Sequence, residues 1–338
     1  MPPASARRLL LAGAYAALGA AAPIGVITQW SCTPQDAAEL AKGARWTKLL
    51  CNGTGVPLFG AAGPDLVVNV VVAEISQGSG LRLAPLRAQA DASGFFLAPL
   101  DSIAQQEPRA VAGINGGYFF RSDLGKNWVD GVCLGKDFAD ATEAPSPTSP
   151  NAGPADGTIV SGGVLLGSNC NCSGYSRPVI LTIDGAASRF DVLHRGAAPP
   201  QGLALDAVGS SPNLVSSNAS GSFVDIPSDD DNIGNILEHA ANTAVGLRPS
   251  ADGSGGVEAV LVTTDGYDGC SPFNATCGTN AFTLAYLMKD FFNATSAMNM
   301  DQGGSTTMWV KGQANDGIVS SSGSGTRAIN SGLFVVAA

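Results

Sequence analysis

An α+β fold is what the sequence predicts: a single domain with a mixed β-sheet core, few helices and long surface loops. Three observations point to it. Apolar, β-branched runs of strand length recur along much of the chain, only residues 281–292 carry apolar side chains at helical spacing, and no internal repeat divides the sequence. With 45% hydrophobic and 14% charged residues, the 338-residue chain has the material for a sizeable core.

Residues 1–22 read as a secretory signal peptide, in which Arg7 and Arg8 precede an apolar run from Leu9 to Ala22 that ends in small residues. That run is shorter than the ~20 residues of a membrane-spanning helix. Residues 23–64, with their Cys, Pro and Gly, are expected to be irregular, and the folded domain to occupy residues 65–338. Leu66 to Ile75 predicts a core strand with Leu81 to Leu86 as its partner, and Arg109 to Ile114 predicts a strand running into Asn115-Gly116-Gly117. Pro145 to Pro154 reads as a loop. Thr158 to Leu166 and Pro178 to Leu193 read as hairpins, the second turning at Asp184-Gly185. The polar, Ser-rich stretch from Gln201 to Asn235 reads as a long loop or partly disordered insertion. After it come strands at Thr243 to Leu247 and Val257 to Asp265. A helix follows whose Leu284, Leu287, Met288 and Phe291 face the core, and then strands at Ala297 to Met300, Thr306 to Lys311, Gly317 to Ser320 and Gly332 to Val336.

A formal net charge of −10 argues against a nucleic-acid partner, which needs a basic face. No stretch after the leader is apolar enough for a stable membrane span. Five Asn-x-Ser/Thr sequons, at Asn52, Asn171, Asn218, Asn274 and Asn293, fit glycosylated surfaces in a eukaryotic secretory route. The expected location is therefore the secretory pathway: extracellular, or a Golgi- or lysosome-like lumen. Seven Cys in such a compartment suggest local bridges Cys32–Cys51 and Cys270–Cys277, with Cys133 meeting Cys170 or Cys172 and one thiol left over. With two His in the chain, a zinc site built on Cys170 and Cys172 is disfavoured, and no metal or other cofactor is expected. The sequence assigns no oligomeric state.

The chemistry concentrates at strand ends. The strand ending at Asp265-Gly266, the helix, and the strand ending at Asp301-Gln302-Gly303-Gly304 form a βαβ crossover, so the two strands run parallel and both acids emerge at one sheet edge. With neighbouring strands ~4.8 Å apart, the carboxylates converge if the strands are adjacent or separated by one. Asn115-Gly116-Gly117 is a candidate for the same rim. Gly-Gly pairs can turn successive amides into an anion nest, Ser305, Thr306 and Thr307 add hydroxyls, and Arg327 can add a fixed positive charge. Two carboxylates with an anion cradle are the parts that break a glycosyl bond to phosphate. Each motif alone is more often a plain turn, since Asp-Gly is the commonest hairpin signal. Their order and flanking strands shift the balance.

Four blocks carry a resemblance: GINGGYF from Gly113, TAVGL from Thr243 leading to LVTTDG, AMNMDQGGSTTMW from Ala297, and TRAINSGLFVV from Thr326. The chain thereby resembles the phosphodiester glycosidases over roughly Leu66 to Val336. The resemblance implies hydrolysis of the bond between a sugar's anomeric carbon and a phosphodiester oxygen, releasing the sugar and leaving a phosphomonoester. It points to Asp265, Asp301 and Asn115 as catalytic candidates. Gly116, Gly117, Gly266, Gly303, Gly304, Ser305, Thr306, Arg327 and Asn330 would then surround a sugar-phosphate diester or other glycan. Three departures stand out: Gln302 replaces a cradle glycine, Asn242 stands where an arginine is usual, and an insertion carries Cys270 and Cys277. The first two motivate the alternative, a non-catalytic glycan-binding or cell-surface polysaccharide module.

Other signals carry less. Asp229-Asp230-Asp231 lacks the ligand spacing of a calcium loop. His194 and His239 read as ordinary hydrogen-bonded or surface groups. No Gly-x-Ser-x-Gly elbow exists, and the Gly-rich run before Arg327 precedes a strand and not a helix. Trp309 and Tyr118 could stack on a sugar or pack in the core with equal ease.

Overall fold

The computed structural model describes residues 27–55, 65–89 (without 77), 97–119, 159–167, 179–192 (without 185 and 186), 205–226, 236–266 (without 252 and 254), 278–322 and 326–337. The signal peptide, the acidic run at Asp229, His194 and the Cys133, Cys170, Cys172, Cys270 and Cys277 expectations lie outside them.

Strand β1 (Ile27–Ala41) turns at Lys42-Gly43 into β2 (Ala44–Gly55), and the Cys32–Cys51 disulfide joins opposed residues of the pair. The irregular segment expected over residues 23–64 is thus corrected to a long hairpin over residues 27–55. Its pattern is hard to read because β1 is a mostly exposed edge strand, while β2 sends Trp46 to one core and Leu49 and Cys51 to another. Next come β3 (Asp65–Glu74) and β4 (Leu81–Arg87). β3 pairs with β2, whereas β4 joins a different sheet, so the expected pairing of these two strands does not form. The connection through residues 75–80, with Gly78 and Gly80 at positive φ, carries the chain between sheets.

Helix α1 (Leu100–Ala104) leads into β5 (Ala110–Asn115). The two expected hairpins follow as β6 (Ile159–Ser161) with β7 (Val164–Gly167), and β8 (Val179–Asp184) with β9 (Ala187–Val192). The stretch read as loop from Gln201 contains three strands, β10 (Leu205–Ser210), β11 (Asn213–Asn218) and β12 (Gly221–Val224). Small and polar residues here hold strand positions through tertiary pairing, which overrides weak local propensity. Then β13 (Asn242–Pro249) and β14 (Val257–Thr264) precede helix α2 (Ala281–Tyr286), which continues as a wider turn over Leu287–Phe291. Asn280 caps it, its Oδ1 accepting from the Thr283 amide at 2.8 Å. The chain ends with β15 (Ser296–Asn299), β16 (Thr307–Val310), β17 (Ile318–Ser321) and β18 (Ser331–Ala337).

These strands form an eight-stranded sheet (β1-β2-β3-β14-β13-β15-β11-β12), a five-stranded sheet (β17-β16-β5-β18-β4) and a second five-stranded sheet (β7-β6-β10-β8-β9). The result is an α+β fold dominated by strands, with two short α-helices among the described residues. The large sheet packs on the first small one through Trp46, Val71, Leu261 and Val245 against Ile114, Met308 and Leu333. Its other face is covered by Leu284, Leu287 and Met288 of the α2 segment, the residues whose spacing predicted it. Helix α1 covers the far face of the small sheet, Leu100 and Ile103 meeting Phe334. Truncating a fully buried core residue such as Leu261 to Ala costs about 2–5 kcal/mol at sites of this kind.

Candidate active site

Side-chain alternation along β14 decides where Asp265 points. Ala259 and Leu261 enter the core between the sheets and Val260 and Val262 the helix-side core, so Thr263 and Asp265 continue the face that looks at the small sheet. There the Ser320 hydroxyl of β17 donates to Asp265 Oδ1 at 3.4 Å, and the Asp265 amide is held by the Val67 carbonyl at 2.9 Å. Burial pushes the Asp265 carboxyl above the usual carboxylate range, while the Ser320 bond and the charge of Lys48 pull the other way.

Asp301 follows β15. β13 is antiparallel to both β14 and β15, so these two run in the same direction with one strand between them, about 10 Å apart in strand spacings. The expectation that both acids leave the same sheet edge therefore holds. The Asp301 amide donates to the Gly116 carbonyl at 3.1 Å, and its carbonyl accepts from Asn115 Nδ2 at 2.8 Å. Its Oδ1 accepts the Gln302 amide at 3.0 Å, as in a tight turn.

Asn115 is buried with its side chain fully engaged. Nδ2 also donates to the Gly116 carbonyl at 3.2 Å, and Oδ1 accepts from the Thr243 hydroxyl at 2.7 Å and the Thr307 amide at 3.1 Å. It joins the ends of β5, β13, β15 and β16, and in this arrangement it positions Asp301. Gly116 and Gly117 are sites of close approach: a Cβ would meet Ser331 Oγ at 2.2 Å and the Gly209 carbonyl oxygen at 2.3 Å, respectively.

The turn Gly303–Ser305 differs from the anion nest read from the sequence. Gly303, at φ +62°, donates its amide to the Ala241 carbonyl at 2.8 Å, Ser305 to Gln302 at 3.4 Å and Thr306 to Gly303 at 3.1 Å. A tight turn satisfies its own donors, so three of these four amides face protein and not a ligand. Gly304 instead makes room for Arg327. A Cβ there would lie 2.0 Å from Arg327 Nη2 and 2.3 Å from its Cζ, so the guanidinium lies against the bare backbone, with Nη1 3.4 Å from Ser305 Oγ. Thr306 Oγ1 is buried without a hydrogen-bond partner among the described residues. Asn330 is buried and its carbonyl accepts from the Ala88 amide at 2.7 Å; Gly266 is half-buried beside Asp265.

The departures have structural roles. Asn242 is buried and donates to the carbonyls of Ala240 at 3.2 Å and Thr279 at 2.6 Å, so no cation reaches the site from there. Gln302 is buried beside Asn299. Thr243, Ser320 and Lys48 are not among the residues the sequence singles out, since a strand-forming Thr or a lone strand Lys gives no local signal of function; Thr307, read as a hydroxyl donor of the cradle, meets Asn115 through its backbone amide. His239 is buried, its Nδ1 3.0 Å from the Gly278 carbonyl oxygen and its Nε2 3.1 Å from Asn280 Nδ2, the hydrogen-bonded role read for it. Trp309 packs edge-on against Phe334 at 6.4 Å and donates to the Asp316 carbonyl, in the core behind the small sheet. The sequons at Asn52, Asn218 and Asn293 are exposed. Among the described residues no group of three or more His, Cys, Asp or Glu could hold a metal ion, and no helix is long and apolar enough to cross a membrane.

A family model described as phosphodiester glycosidase matches residues 108–336, more than half of the chain and including every strand end just described. The chain belongs to the phosphodiester glycosidase family. Among solved structures it is similar to the zebrafish N-acetylglucosamine-1-phosphodiester α-N-acetylglucosaminidase catalytic domain, auto-inhibited by pro-peptide. The two share 16% identity over 92% of this chain and 89% of that one, with a TM-score of 0.57. A Burkholderia pseudomallei K96243 protein described as exported aligns over 93% of this chain and 98% of its own, at 13% identity and a TM-score of 0.50. At such identities these likenesses concern the fold. No curated protein matches the chain.

Proposed function

We propose that this phosphodiester glycosidase family member hydrolyses a glycosyl-phosphodiester linkage, releasing the sugar and leaving a phosphomonoester. The observation that carries the reading is Asp265, a largely buried carboxyl held at the same sheet edge as Asp301 and displaced toward its protonated form. A carboxyl that keeps its proton can serve as the general acid for the bridging oxygen. In the reaction the bond from the anomeric carbon to that oxygen breaks, water delivers hydroxyl to the carbon, and the remaining proton is accounted for on the phosphate or in solvent. Asp301 acts on the anomeric side, capturing the oxocarbenium-like centre or orienting water. Arg327 and Ser305 meet the phosphate, where charge builds as the sugar departs. Asn115, with Gly116 and Gly117, fixes the end of β15.

The similarity to the zebrafish enzyme makes an N-acetylglucosamine-1-phosphodiester the first substrate to try. Incubation of the purified chain should release free sugar, and Asp301→Ala should abolish release while keeping the fold by circular dichroism. Saturable glycan binding by the wild type without turnover would instead establish the glycan-binding module. For location we infer the secretory route, supported by the Cys32–Cys51 disulfide and the leader-like N-terminus.

A further inference from the structure

The large sheet carries a polar row across four strands beside Asp265. Lys48 on β2 is opposite Asn69 on β3, Asn69 is opposite Thr263 on β14, and Thr263 is opposite Thr243 on β13. Directly opposed residues share a face. Thr243 reaches Asn115 in the small sheet, so the whole row looks into the gap between the sheets. One row deeper the same strands present Trp46, Val71, Leu261 and Val245, which close the core. Two residues outward along β14 stands Asp265. The row thus lies beside Asp265 on the same face of the sheet.

Its donors are not all met. Asn69 and Thr263 are fully buried, yet Asn69 Nδ2 and Thr263 Oγ1 have no hydrogen-bond partner among the described residues. Asn69 Oδ1 accepts from Trp46 Nε1 at 3.3 Å, which orients the amide and leaves Nδ2 as its unmet donor. Buried polar groups left this way are uncommon in native proteins and call for a ligand or water. Lys48 is half-buried, and its charge is felt at the Asp265 carboxyl, but it forms no direct ion pair among the described residues.

We propose that Lys48, Asn69 and Thr263 form an anion subsite that holds the phosphate of the substrate beside Asp265. An ammonium, an amide N–H and a hydroxyl make a set of donors suited to phosphoryl oxygens. The cation missing at Asn242 is thereby supplied from the other side of Asp265, by a strand of the N-terminal hairpin. Lys48 and Asn69 precede residue 108, where the family match begins, so that match does not assign them. The proposal rests on the phosphodiester reading for its ligand, but its test does not require turnover.

Inorganic phosphate titrated into the full chain by calorimetry should bind saturably. Lys48→Met should weaken binding about 10- to 100-fold, the worth of a charge-assisted hydrogen bond. Thr263→Val should weaken it several-fold, and Lys48→Arg should restore most of the affinity. Equal melting temperatures without phosphate show that the variants keep the fold. Absence of saturable phosphate binding in the wild type, or wild-type affinity in both Lys48→Met and Thr263→Val, overturns the subsite. Lys48-dependent phosphate binding in a chain that releases no sugar would keep the subsite and end the hydrolase reading. Normal sugar release by Lys48→Met, with unchanged KM, would do the reverse.

Discussion

Replacing Gly304 by Ala isolates the contribution of Arg327 without touching either acid. The added Cβ would lie 2.0 Å from Arg327 Nη2, and ordinary contact begins at 3.4 Å, so the guanidinium must retreat by 3.4 − 2.0 = 1.4 Å or more. That movement breaks the bond of Nη1 to Ser305 Oγ, already long at 3.4 Å. The φ of Gly304 lies outside the left-handed region, so an alanine backbone is unstrained there. The obstacle is the far end of a flexible side chain, so stability should change by less than about 1 kcal/mol. If Arg327 stabilises the departing phosphate, losing its placement removes a charge-assisted interaction of about 1.5–3 kcal/mol, or roughly 10- to 100-fold in kcat/KM. The assay is kcat/KM on a glycosyl-1-phosphodiester for Gly304→Ala, Arg327→Gln and the double variant, with melting curves for each. In the Arg327→Gln background the Ala should have little further effect. An unchanged kcat/KM in Gly304→Ala, or an equal loss with and without Arg327, would refute this role.

Three further outcomes follow from the same geometry. The raised Asp265 pKa means that its contribution to stability is fully present below the unfolded value of ~3.9 and is lost as pH rises through the folded value. Asp265→Asn should therefore melt higher than the wild type at neutral pH, with the advantage vanishing in acid and sugar release abolished; a lower melting point at neutral pH would contradict it. His239 has the opposite sense: burial depresses its pKa, so stability falls as pH drops below the unfolded value of ~6.5, and its ring should titrate below that value by NMR. A His239 that titrates at or above the ordinary value would overturn this. Asn115→Ala strands the Thr243 hydroxyl and the Thr307 amide and frees the Asp301 carbonyl, for an expected cost of about 2–4 kcal/mol in denaturant unfolding. A cost below about 1 kcal/mol would show that the four strand ends are held by other bonds.

Much of the scaffold was legible because local pattern and tertiary role coincide. The runs at β3, β13 and β14 are buried on both faces and read as continuous apolar strands, and the α2 segment shows its apolar spacing because one face meets the sheet. Where a segment depends on its neighbours, the pattern failed. The β1–β2 hairpin is an edge structure, and β10 to β12 use Ser, Asn and Gly at strand positions fixed by pairing. β4 was identifiable as a strand, but its partner is β18, nearly the whole domain away in sequence.

The sequence by itself determined that Asp265 and Asp301 end parallel strands at one edge, because a strand–helix–strand unit has little choice of direction or hand. Only the tertiary structure decided what surrounds them. The turn fills the amides of Ser305 and Thr306 from within while the Ala241 carbonyl takes that of Gly303, Gly304 becomes a bed for Arg327, and Ser320 and the charge of Lys48 are brought to Asp265. Strand direction is encoded within some forty residues, whereas the hydrogen-bond partners come from segments between 22 residues apart, as Arg327 and Ser305, and 192 residues apart, as Thr307 and Asn115, and no local pattern carries that information.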